Sequence, residues 1–106
     1  MSMTKEVARL RIARDLQELE DKLIAAQAAA ASLAASCAHA RCEVGAGLTL
    51  GFEPLLRLGR VQEALLKAGG ETARVHSGLL EVAREVMMPD EHCPPPAGSL
   101  EIAQAA

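Results

Sequence analysis

The stretch GAGLTLGFE, Gly45 to Glu53, decides the fold of this chain. Three glycines in nine residues mark a turn with special backbone angles. On both sides of it the apolar residues fall into helical order. Toward the N-terminus, Ile12, Leu16, Leu19, Leu23, Ala26, Ala30, Leu33, Cys37, Ala40 and Val44 are spaced alternately four and three residues apart. That is a heptad seam, the signature of a long helix packed along one line. Toward the C-terminus, Leu58, Val61, Leu65, Ala68, Thr72, Val75, Leu79, Val82 and Val86 repeat the alternation.

The ends of the two helices can be read as well. Thr4 is an N-cap residue, and Glu6 suits the positive end of the helix dipole. Val44 is the last residue of the first helix, because Gly45 fits the left-handed position that closes helices. Pro54 suits the first turn of the second helix, and Pro89 stops it. The spacing thus predicts helices over 4–44 and 54–88 joined by a loop over 45–53. Each helix would run roughly 50–60 Å at 1.5 Å per residue.

Folding the chain about Thr49 pairs the seams. Ile12 then meets Val86, Leu16 meets Val82, Leu19 meets Leu79 and Leu23 meets Val75. Beyond the middle, Leu33 meets Leu65, Cys37 meets Val61 and Ala40 meets Leu58. The expected fold is therefore all-α: a long antiparallel two-helix hairpin, coiled-coil-like and alanine-rich. In its middle Ala26 and Ala30 face Thr72 and Ala68, beside Gly69 and Gly70. Small residues on both helices let the backbones approach closely, which is preferred to a hinge as the reason for two adjacent glycines.

Composition agrees. The chain has 106 residues, enough for one small domain. Half of it is apolar, yet Phe52 is the single aromatic residue. Such an alanine- and leucine-rich makeup favours helix over a sheet, which draws on aromatic and β-branched residues. The formal net charge is -3 with acids and bases interleaved, so no nucleic-acid partner is expected. No apolar leader follows the charged N-terminal residues, and three cysteines make no disulfide framework. The expected setting is cytoplasmic.

Two helices cannot bury a wide apolar arc between themselves. Beside its seam the first helix carries Ile24, Ala28, Ala31, Ala35 and Ala38; the second carries Leu66, Ala73, Leu80, Ala83 and Met87. From Leu23 to Ala40 no charged residue occurs at all. That segment approaches the minimum length of a membrane span, but it is mostly alanine and includes Gln27, Ser32, Ser36 and His39. No span is expected. The expectation is cover by protein: a homodimer forming a four-helix bundle, or another helical protein. The residues expected to make that contact are Ile24, Ala28, Ala31 and Ala35, with Leu48, Leu50 and Phe52 of the loop either plugging the bundle end or docking a partner.

Chemistry-bearing residues are few. Cys37, His39 and Cys42 form C-x-H-x2-C, and His92–Cys93 lies in the segment PDEHCPPPAGSLEIAQAA, which reads as a proline-rich flexible tail over 89–106. Cys37 and Cys42 stand five apart on a helix and do not share a face well, and Cys37 belongs to the seam. Cys37, His39, Cys42 and Cys93 remain the candidates for a metal- or redox-responsive regulator. His76 is followed by Ser77-Gly78-Leu79, without the lysine-glycine pair of phosphotransfer histidines. GAGLTLG follows no strand, so it is no nucleotide loop. The expected function is a small non-catalytic interaction protein, an adaptor, assembly factor or chaperone-like regulator, without cofactor.

Overall fold

The computed structural model describes residues 4–87. Within them the chain is all-α: α1 is Lys5–Glu43, α2 is Phe52–Met87, and no strand occurs among the described residues. The proline-rich segment and Cys93 lie outside the described residues.

Local chemistry sets the helix ends. The Val7 amide donates to Thr4 Oγ1 at 3.1 Å and the Ala8 amide to the Thr4 carbonyl at 2.9 Å, so Thr4 caps α1. At the other end Gly45 has φ +65°; its amide donates to the Cys42 carbonyl and the Ala46 amide to the Arg41 carbonyl. That pair of bonds is the Schellman motif, which satisfies carbonyls the helix leaves open. α2 begins two residues earlier than Pro54. Gly51, at φ +75°, takes the capping position, and its carbonyl accepts from the Leu55 amide at 3.2 Å. Phe52 and Glu53 are therefore helical, and the connection is 44–51.

The chain divides into two compact units. One is Glu20–Gly69; the other takes in the residues up to Leu19 and those from Gly70 onward. In the first unit α1, the turn and α2 make a helical hairpin. Glu20, Leu23, Ala26, Gln27, Ala34, Cys37 and Arg41 are half-buried along α1 and Ala30 is buried; on α2 Leu55, Leu58, Gln62, Leu65, Ala68 and Gly69 are half-buried. In the second unit the half-buried residues include Ala8 and Leu16 of α1 and His76, Leu79, Leu80 and Ala83 of α2, and Thr72 is buried.

These stripes correct the expected seam. About half of it stands: Leu16, Leu23, Ala26, Ala30 and Cys37 on α1, and Leu58, Leu65, Ala68, Thr72 and Leu79 on α2. At Leu19, Leu33, Val61, Val75 and Val82 the contact line moves one residue onward. Glu20 is more covered than Leu19, Ala34 than Leu33, Gln62 than Val61, His76 than Val75, and Ala83 than Val82. A shift of one residue turns the helix about 100°, so the bulky apolar residue of each pair stands at the edge of the contact. Leu33, expected in the seam, is 53% exposed.

The register also differs. Lys5 Nζ lies 3.5 Å from the Val86 carbonyl, and Gln27 Nε2 lies 3.2 Å from the Leu65 carbonyl. Both pairs centre the reversal near Ala46, ahead of Thr49 and next to the left-handed Gly45. α2 continues unbroken through Gly69 and Gly70.

Candidate interaction surfaces

In the Glu20–Gly69 unit the tip is built around Arg41. Its Nε donates to the Leu50 carbonyl at 3.0 Å, and its Nη2 to the carbonyls of Gly47 and Leu48 at 3.1 and 2.7 Å. A planar guanidinium with several fixed donors can gather carbonyls that a loop would otherwise leave to water. The bonded loop displays its apolar side chains outward. Leu48 is 92% exposed, and Leu50 and Phe52 are more than half exposed. In the single hairpin these three residues therefore stand at its surface. Leaving one such side chain in water forgoes about 1.5–3 kcal/mol.

Ile24, Ala28, Ala31 and Ala35 are all exposed along α1 in the same unit. Leu33 and Val61 make a second apolar edge, left by the rotated contact line. Sequence periodicity named Ile24 and its neighbours as a surface and placed Leu33 and Val61 inside. The signal that could have found the second edge is the width of the apolar arc, which exceeds what one neighbouring helix can cover.

The other unit carries a trough of about 200 Å³. Ile12 and Ala8 of α1 and Leu79, Val82, Ala83 and Val86 of α2 line it, with Lys5 and Arg9 alongside. Arg9 is engaged with Glu6; the hydrogen bond and the charge of Arg9 hold the Glu6 carboxyl below the usual carboxylate range. Lys5 meets a carbonyl oxygen and, among the described residues, no carboxylate. Ile12, Val82 and Val86 are each about half exposed, so the trough is open along apolar rims.

Among the described residues, Cys37, His39 and Cys42 do not converge. Cys37 is half-buried in the hairpin contact, His39 and Cys42 are exposed, and both cysteines are free thiols. Among the described residues no three His, Cys, Asp or Glu side chains are placed to hold a metal ion. α1 is long and apolar enough to cross a membrane by length and composition. Within its charge-free segment, however, Gln27 is half-buried and spends its amide on the Leu65 carbonyl of α2. No known family model, curated protein or solved structure matches the chain.

Proposed function

We propose that this chain is a non-catalytic interaction protein that acts by packing helix on helix, as an adaptor, assembly factor or chaperone-like regulator, and that a second copy is its first partner. One observation carries the reading. Among the described residues Ala30 is the single buried apolar side chain, although half of the sequence is apolar. Leu19, Leu33, Val61, Val75 and Val82 stay about half exposed at helix edges. Each would contribute on the order of 1 kcal/mol if covered, and an apolar arc of that width is normally met by further helices. Covering these edges with a second hairpin makes a four-helix bundle.

The same reading assigns the charge-free segment to protein rather than lipid. A side-chain amide committed to a carbonyl of the neighbouring helix belongs to a helix-helix contact, and helices of mixed charge have little to hold an anionic bilayer. Three cysteines without a disulfide framework suit a reducing, cytoplasmic setting.

Sedimentation equilibrium tests the proposal. The chain is expected to self-associate at micromolar concentration, and its melting temperature is expected to rise with concentration, as mass action requires. A folded monomer with a concentration-independent melting temperature up to hundreds of micromolar would overturn it.

A further inference from the structure

We propose that the tip of one copy, Leu48, Leu50 and Phe52, seats in the Ile12–Val82 trough of a second copy. The inference rests on the self-association reading and adds which surfaces meet. Three observations carry it.

The first is shape. The tip stands exposed and its backbone is tied by the three carbonyl bonds of Arg41, which lowers the freedom it would lose on docking. The trough is concave, and its volume of about 200 Å³ has room for one or two leucine-sized side chains. The second is chemistry. Among the described residues Leu48 is the most exposed large apolar side chain at 92%, and the trough between α1 and α2 is lined almost wholly by apolar surface.

The third is charge. Lys5, beside the trough, has a carbonyl partner at 3.5 Å and no carboxylate among the described residues. Glu43, the last residue of α1 before the tip, has no cation partner among them. Seating the tip brings a carboxylate to an ammonium that lacks one, which favours this pairing over trough against trough, where Lys5 would meet Lys5.

A contact between two different patches of one chain can be rebuilt from two crippled copies. The tip variant Leu48→Asp/Leu50→Asp and the trough variant Val82→Asp are each expected to self-associate at least tenfold more weakly than the wild type. Their equimolar mixture is expected to recover association, at least tenfold tighter than either alone. A mixture no tighter than its components would overturn the inference. Because Val82→Asp could impair folding, circular dichroism accompanies it, and a surface pair repeats the test. Lys5→Glu and Glu43→Lys should each weaken association and restore it when mixed. Wild-type association without recovery in either mixture sinks this contact alone; a monomeric wild type sinks the self-association reading itself.

Discussion

Gln27 of α1 donates its side-chain amide to the backbone carbonyl of Leu65 on α2, at 3.2 Å, and the same nitrogen sits 3.2 Å from where a Cβ at position 69 would stand. A polar residue in the charge-free segment thus marks a close approach of the two helices. It also separates the two adjacent glycines: Gly69 is where a side chain would press on Gln27, and a Cβ at Gly70 would meet open space.

Gly70→Ala is therefore expected to stabilise the hairpin by about 1 kcal/mol, the helix-propensity difference between the two residues. Gly69→Ala is expected to gain less, because Gln27 must give way by a few tenths of an ångström. Urea denaturation of both variants checks the order. Equal gains at the two positions would contradict the close approach.

Arg41 organises the tip through one side chain. Arg41→Ala is expected to cost roughly 1–3 kcal/mol, since three carbonyls lose a charged donor at a partly exposed site. Arg41→Lys is expected to rescue little, because an ammonium cannot reach all three in a fixed fork. Thermal unfolding gives the cost, and amide exchange at Leu50, whose own amide donates to the Gly47 carbonyl, reports whether the tip has loosened.

The turn glycines differ in what they require. Gly45 and Gly51 lie at positive φ, where an L side chain is strained; Gly47 does not, and all three positions have open space. Alanine at Gly45 or Gly51 is expected to destabilise by about 1 kcal/mol. Alanine at Gly47 is expected to be neutral or slightly stabilising through the unfolded chain. Melting temperatures of the three single variants decide it; a cost at Gly47 matching the other two would refute the assignment.

The start of α1 has a pH-dependent contact. Arg9 lowers the folded-state pKa of Glu6, first through its hydrogen bond and then through its charge. A lowered carboxyl pKa contributes stability above the unfolded value and loses it as pH falls through the folded one. Glu6→Gln is expected to be less stable than the wild type near neutrality and equal to it in strong acid. Thr4→Ala, which removes the cap, is expected to cost about 1 kcal/mol across that whole range. Paired pH titrations of thermal stability separate the two effects.

Much of this molecule was legible along the chain. Alternating four- and three-residue spacings need no tertiary information to announce helices, and Thr4 and Gly45 act on their own neighbours. The exposed candidates Ile24, Ala28, Ala31 and Ala35 followed from the same periodicity. What periodicity could not decide was which part of a wide apolar arc would meet the other helix. Leu33 and Ala34 both fit an apolar stripe, and so do Val82 and Ala83.

Local sequence specified two helices, the cap and close of the first, and the glycine turn between them, because propensity, caps and left-handed glycines are properties of short segments. The tertiary structure alone decided that Gln27, Ala34, Gln62 and Ala83 take the contact while Leu33, Val61 and Val82 stand at its edges. It alone decided that Arg41 gathers the carbonyls of Gly47, Leu48 and Leu50 while the Leu48 side chain stays exposed. Both outcomes depend on how side chains of two helices interdigitate and on where one guanidinium finds its carbonyls. Neither is a property of a residue and its neighbours in the chain.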